Sequence, residues 1–303
     1  FRTALKNDYW LPAGTITWEF QPDMQIRLNA SQTIARPQFR ELVLQPYFDP
    51  ETNRTYSGNP FLADSKLTNA EARYEWYFER DQRLSVAGFY KKIDRPIEAY
   101  LVLDSSGNSA STFFANAPKA DLYGAEFEVQ KYFDMSEWSS AAMFASRRLV
   151  LLGNYTYTKS KLKVKDGDTT IGANGVATAA TAYFQNGAPL TGQSDHLANI
   201  QIGMEDTDEL SQQTLILSYA SKRVTSRGIS GDQPAVYEHP GFNADFVWRQ
   251  GLDIGSRQLD VKFEVRNIFY NKYKEYQQLA SKRVYYNLYN IGTTFNLSLS
   301  TTF

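Results

Sequence analysis

The 303-residue chain offers little material for catalysis. It has two histidines, His196 and His239, and no cysteine. Ser194-Asp195-His196 carries the residue types of a nucleophile, base and orienting acid. The three are adjacent, and neighbours in an extended chain point to opposite faces. A hydrolase is therefore disfavoured. Asp166-Gly167-Asp168 supplies two carboxylates, fewer oxygens than calcium requires, and reads as a turn. There is no zinc spacing and no Gly-rich phosphate cradle. The sequence predicts no enzyme, no cofactor and no metal site.

Binding chemistry is better represented. One stretch carries Arg40, Tyr47, Phe48, Arg54 and Tyr56, a second Tyr100, Phe113 and Phe114, and a third Arg227, Tyr237 and His239. Aromatics with arginine suit a flat or anionic ligand, by stacking and bidentate hydrogen bonds. The same side chains could instead pack loops against one another. A second set is cationic: Lys159, Lys161, Lys163 and Lys165, then the repeated Ala-Ser-Lys-Arg-Val that holds Lys222-Arg223 and Lys282-Arg283. The net charge is −1, so no case for nucleic acid arises.

The elements that carry these groups are strands. From Tyr289 the odd positions read Tyr289, Ile291, Thr293, Phe295, Leu297, Leu299, Thr301 and Phe303, while the even positions are all polar or glycine. This two-residue period predicts one long strand over 286–303, apolar on one face and wet on the other. Ten more such runs lie at about 11–20, 24–35, 67–79, 83–95, 119–133, 148–164, 195–206, 211–224, 241–252 and 258–270. The charges keep to one face. Leu259, Val261, Phe263 and Val265 oppose Asp260, Lys262, Glu264 and Arg266.

The connections alternate in length. Gln21-Pro22-Asp23, Glu79-Arg80-Asp81-Gln82, 207–209 and 253–256 are short, with a longer turn at 134–147; about 36–66, 96–118, 165–194, 225–240 and 271–285 are long. No apolar run approaches the length of a membrane helix. Charged inner faces, apolar outer faces, abundant Tyr and Phe and loops sorted by length predict an all-β, antiparallel transmembrane β-barrel of the bacterial outer membrane, with short periplasmic turns. In such a membrane Asn53-Arg54-Thr55 and Asn154-Tyr155-Thr156 match the glycosylation pattern by accident. About eleven strands, beginning and ending with a downward one, fit the C-terminal half of a larger barrel.

On the odd face of 148–164, leucines give way to Tyr155 and Tyr157 and then to Lys159, Lys161, Lys163 and Lys165. That order is hydrocarbon, aromatic belt, then headgroup layer. The cations therefore either touch anionic lipopolysaccharide or form a solvated rim, and Lys222, Arg223, Lys282 and Arg283 are read the same way.

Two sets of boxes resemble the TonB-dependent outer-membrane receptor family. The first runs Ser31 to Leu42, with Arg36-Pro37, then Gly58-Asn59-Pro60-Phe61-Leu62, Asn69 to Phe78 and Leu84 to Lys92. The second is Val265-Arg266-Asn267-Ile268-Phe269-Tyr270-Asn271, with Gly292 and the final strand to Phe303. Ala63-Asp64-Ser65 and Thr293 depart from the family's usual residues. The resemblance implies a 22-stranded barrel around an N-terminal plug, so the plug and the first barrel half are expected as missing partners. It also implies import of a scarce ligand (ferric siderophore, haem, cobalamin or oligosaccharide) driven through TonB–ExbB–ExbD. A passive channel, or a structural barrel holding a surface partner, are the alternatives. Arg36, Pro37, Asn59, Pro60 and Asn267 are read as turn and strand-end determinants rather than ligand contacts.

Overall fold

The computed structural model describes residues 7–103, 110–229, 233–255 and 257–301. Phe303 lies outside the described residues. The chain alternates long hairpins with short ones. β1 (Ala13–Gln21) and β2 (Met24–Ala35) precede a short helix, α1 (Phe39–Leu42), and the small hairpin β3 (Tyr47–Asp49) and β4 (Arg54–Ser57). β5 (Ser65–Glu79) and β6 (Gln82–Asp94) lead into β7 (Ile97–Leu103) and β8 (Ala110–Asn116). β9 (Lys119–Asp134) and β10 (Arg147–Lys163) lead into β11 (Thr169–Ile171) and β12 (Ala177–Ala179). β13 (His196–Asp206) and β14 (Ser211–Ala220) lead into β15 (Arg223–Gly228) and β16 (Val236–Glu238). Last come β17 (Gly241–Ile254), β18 (Arg257–Arg266), β19 (Lys272–Leu279), β20 (Lys282–Asn290) and β21 (Thr294–Thr301).

Eleven strands form one antiparallel sheet in the order β1-β2-β5-β6-β9-β10-β13-β14-β17-β18-β21. Each pairs with its nearest barrel neighbours in sequence, as an up-and-down meander requires. The outer strands β1 and β21 each have one unpaired edge, so the sheet is an open part of a barrel. Tight turns join it at one end. Asp23 and Asp81 take φ of +64° and +58° there, a conformation that Asp tolerates better than most residues.

The two faces sort as the alternation predicts. Ile16, Trp18, Leu28, Trp76, Val86, Phe127, Ile200, Phe295, Leu297 and Leu299 are all exposed large apolar side chains. An apolar surface of this extent is what lipid covers. The opposite face carries ion pairs. β10 has 17 residues; at about 3.3 Å each and a tilt near 40°, it rises about 40 Å and overshoots the hydrocarbon. Its upper end, with Lys159 to Lys163, stands above the apolar layer.

Two expectations need correction. The run 286–303 is not one strand. β20 pairs with β19 in a separate sheet, and β21 pairs with β18 in the barrel. The chain breaks at Gly292, whose φ is +81°. The break is invisible to a period-2 reading because the alternation resumes in phase on both sides. The run 211–224 likewise ends at Ala220, and 258–270 at Arg266. The second correction concerns the long loops, which are not irregular. They contribute an eight-stranded sheet in the order β20-β19-β16-β15-β7-β8-β4-β3, with parallel contacts β15–β7 and β4–β8. Parallel pairing between distant segments leaves no local signature.

Asn267 fixes the break. Its side-chain Nδ2 donates to the Gly292 carbonyl at 2.8 Å, its Oδ1 accepts from Asn271 N–H at 2.8 Å, and its φ is +54°. Thr293 Oγ1 donates to its carbonyl at 2.9 Å. Asn267→Ala removes the side-chain bonds and places a worse residue at positive φ. We expect a loss of about 2–3 kcal/mol, read as a lower denaturant midpoint for the intact receptor.

Candidate functional site

Two regions gather chemistry: the barrel's inner wall and the loop sheet. On the inner wall Arg73 sits among carboxylates, 3.2 Å from Glu71, 3.1 Å from Glu126 and 3.6 Å from Glu128. Arg27 pairs with Glu75 at 3.2 Å, and Gln25 donates to the same Glu75. Further round, Arg249 meets Asp260 at 3.0 Å and Lys262 meets Glu264 at 2.7 Å. Such a face suits water or a polar partner, not lipid.

The loop sheet is rolled. β4 and β19 stand five inter-strand steps apart in its order, about 24 Å if it were flat. Yet the Arg54 guanidinium donates to Glu275 of β19 and, at 2.7 Å, to Ser226 Oγ of β15. Only a curled sheet brings these strands within one side chain's reach. Glu275 also accepts from Thr225 and from Asn287 Nδ2 at 3.0 Å. Tyr56 and Tyr286 face the Arg54 guanidinium at 5.8 and 5.7 Å. Arg54 and Glu275 side chains are only 2% and 0% exposed. Arg54 Nε and Thr112 Oγ1 are buried there with no hydrogen-bond partner among the described residues.

The other face of this sheet packs on an apolar cluster. Tyr100, Ala115, Ala117, Leu162, Val164, Ala180, Phe184 and Leu190 join, drawing in the 165–194 excursion. Arg227 pairs there with Glu98, its Nε donating at 2.8 Å, and Glu98 accepts from Thr191 N–H at 3.1 Å. Burial pushes the Glu98 carboxyl up, while Arg227 and Thr191 pull it back. Burial raises the Tyr100 phenol well above its ordinary value. Asn59 is wholly buried; its Nδ2 donates to the carbonyls of Phe114 (3.1 Å) and Ile171 (2.8 Å), tying three loops.

The predicted ligand residues thus divide. Arg54, Tyr100 and Arg227 are 3%, 4% and 5% exposed and pack the loops together. Tyr47 and Tyr56 are half-buried and stack on each other, 5.6 Å between ring centres. Arg40, Phe48 and His239 are exposed. A cavity of about 700 Å³ holds Tyr237, Tyr183 and Phe184 on its wall, and one of about 250 Å³ holds His239, Lys272 and Tyr273. Arg36 is exposed where β2 ends; Pro37 and Pro60 are half-buried.

The cations divide too. Lys159 pairs with Asp195, and Lys163 with Asp121 at 3.2 Å; Lys161 and Lys165 are exposed. Arg223 pairs with Glu238 at 2.7 Å, Lys222 lies over Tyr237 and Arg283 over Tyr276, and Lys282 is exposed. These last four therefore belong to the loop sheet. Ser194, Asp195 and His196 each bond elsewhere: to the Ser221 carbonyl, Lys159 and Tyr155. Sequence reasoning missed Glu275 and Glu98. Each lies over a hundred residues from its arginine, and nothing local distinguishes it from a solvated glutamate.

A polar-walled antiparallel sheet with an apolar outer face, short turns at one end and an ordered loop sheet at the other defines a receptor-type transmembrane barrel. Residues 1–268 match the family described as TonB dependent receptor-like, beta-barrel. This chain belongs to that family, whose members are outer-membrane proteins of Gram-negative bacteria. A mutant of the ferric enterobactin receptor PfeA from Pseudomonas aeruginosa, solved with enterobactin, is similar in fold: TM-score 0.59, 16% identity, covering 97% of this chain and 41% of that one. The siderophore receptor PirA from Acinetobacter baumannii gives TM-score 0.51 and 14% identity, covering 87% and 37%. The ferric-catecholate import receptor Fiu from E. coli K12 gives 0.50 and 16%, covering 86% and 31%. The chain thus spans about two-fifths or less of the structures it resembles. No curated protein sequence matches it.

Proposed function

We propose that this chain forms the C-terminal part of an outer-membrane importer that takes up a ferric siderophore through TonB–ExbB–ExbD. A plug and the remaining strands complete the barrel across the open edges of β1 and β21. The observation that carries the reading is the family match over residues 1–268, joined to an ordered loop sheet at the long-loop end. Siderophore as cargo follows from the structural neighbours, receptors for ferric enterobactin, a siderophore and ferric catecholate. Haem, cobalamin and oligosaccharide are the other cargoes the family suggests. Arg40, Phe48, Tyr237 and His239 are the loop residues we assign to ligand contact, because they remain accessible where Arg54 and Arg227 do not.

The test is uptake of radiolabelled ferric catecholate by iron-starved cells with and without the intact receptor. Uptake is expected to vanish on loss of the receptor, of TonB, or of the proton gradient. The double variant Arg40→Ala/His239→Ala is expected to weaken binding about tenfold, two lost contacts of modest strength. Uptake that survives without TonB, together with open ion conductance in a planar bilayer, would instead assign a passive channel.

A further inference from the structure

We infer that the outer surface of β5, β6, β9 and β10 is a binding site for one phosphorylated, multiply acylated glycolipid of the outer leaflet, a lipopolysaccharide molecule. The inference rests on the outer-membrane placement above and adds a located site to it.

The register of these strands lays their outward residues in level rows. One row is Tyr74, Val86, Phe127 and Tyr155. The next row toward the loops is Ala72, Gly88, Ala125 and Tyr157. Above it come Ala70, Tyr90, Tyr123 and Lys159, then Thr68, Lys92, Asp121 and Lys161, and last Lys66, Asp94, Lys119 and Lys163. The second row lacks bulk on three strands while the rows beside it carry rings. The result is an open depression of about 580 Å³ on the outer face, framed by Tyr90, Tyr123 and Tyr157. A site of that size and apolar lining matches a stretch of acyl chain.

The rows above it supply the charge. Six lysines stand there: Lys66, Lys92, Lys119, Lys159, Lys161 and Lys163. Only Lys159 and Lys163 make ion pairs among the described residues, with Asp195 and Asp121. Lys66, Lys92, Lys119 and Lys161 make none with Asp94 or any other acid there. Each row rises about 5 Å, so the unpaired cations stand about 10–15 Å above the small residues that floor the depression. That offset is the one between a lipid's phosphates and the upper part of its chains. The unpaired lysines also spread across strands about 5 Å apart, which suits a headgroup with more than one phosphate better than a single small ion. A mere solvated rim would not align an apolar hollow beneath its unpaired cations.

Lys159, Lys161 and Lys163 lie on this surface, and the strand register places Lys66, Lys92 and Lys119 beside them. Lys222, Arg223, Lys282 and Arg283 do not contribute.

The test is native mass spectrometry of the intact receptor in detergent, titrated with diphosphorylated hexa-acyl lipid A, its dephosphorylated form and phosphatidylglycerol. One tightly held lipid A is expected, with the dephosphorylated form and phosphatidylglycerol bound far more weakly. Lys92→Gln/Lys119→Gln/Lys161→Gln is expected to cut lipid A affinity about 100-fold. Gly88→Leu fills the hollow. A Cβ at Gly88 meets nothing within 4 Å, so the barrel should fold unchanged while lipid A binding falls several-fold. Full binding by the triple variant, or by Gly88→Leu, overturns the site; equal binding of phosphatidylglycerol shows an unselective anionic annulus and overturns it as well. Fractionation of the same cells separates the two readings. A receptor found outside the outer membrane defeats the placement, whereas a receptor in that membrane that ignores lipid A defeats only the site.

Discussion

Glu275→Leu is expected to loosen the loop sheet by about 3–5 kcal/mol, the usual consequence of removing one partner from a buried ion pair. The substitution strands a guanidinium whose side chain is 2% exposed and whose Nε already lacks a partner among the described residues. It also releases Thr225 and Asn287, which donate to the same carboxylate. Four strands from three loops meet at this point, so the effect should spread along the sheet. Amide hydrogen exchange on the intact receptor is the measurement. Exchange in β4, β15 and β19 should speed up by two orders of magnitude or more, while β9 and β10 stay protected. The double variant Arg54→Met/Glu275→Leu should recover most of the protection, since an apolar pair of similar size carries no desolvation penalty. Unchanged exchange in the single variant would mean that the rolled sheet closes by its backbone pairings alone.

Phe127→Arg is expected to destabilise the barrel by about 1–2 kcal/mol, because arginine on a lipid face costs most at the midplane and less toward the aromatic belt, where Tyr155 shares its row. Phe127 is 40% exposed with Val86 and Tyr155 beside it in the same outward row. The control is Asn154→Arg. Asn154 is adjacent to Tyr155 in the chain but points to the polar wall, where it accepts from Asn199. An arginine there meets water and carboxylates, and a change under about 0.5 kcal/mol is expected. Urea titration of the intact receptor folding into lipid vesicles reads both. Equal losses would show that the two faces are assigned wrongly, because a one-residue step reverses the side of a strand.

The barrel was legible because its information is local. In β18 the apolar side chains Leu259, Val261, Phe263 and Val265 alternate with charges, and lipid on one side and water on the other leave such a run a single placement. Short turns between paired strands then fix the neighbours, so the eleven barrel strands from β1 to β21 follow in chain order around the sheet. The tyrosines and lysines of β10 report depth for the same reason: each solvent layer selects its own side chains.

The loop sheet was not legible. Arg54 and Arg227 read either as ligand contacts or as groups that pack loops together, because nothing near them in the chain names their partners. Their true surroundings depend on Glu275 and Glu98, brought to them by strands from other loops. The row of Ala72, Gly88 and Ala125 is equally silent in the sequence, since small residues on three separate strands acquire a shape only when the register aligns them. The alternation of residue types thus determined the barrel, its two faces and its place in a membrane, because those follow from solvent contact one residue at a time. The rolled sheet, the buried ion pairs and the outward hollow were decided by the tertiary structure, because they depend on contacts between segments that carry no mark of one another.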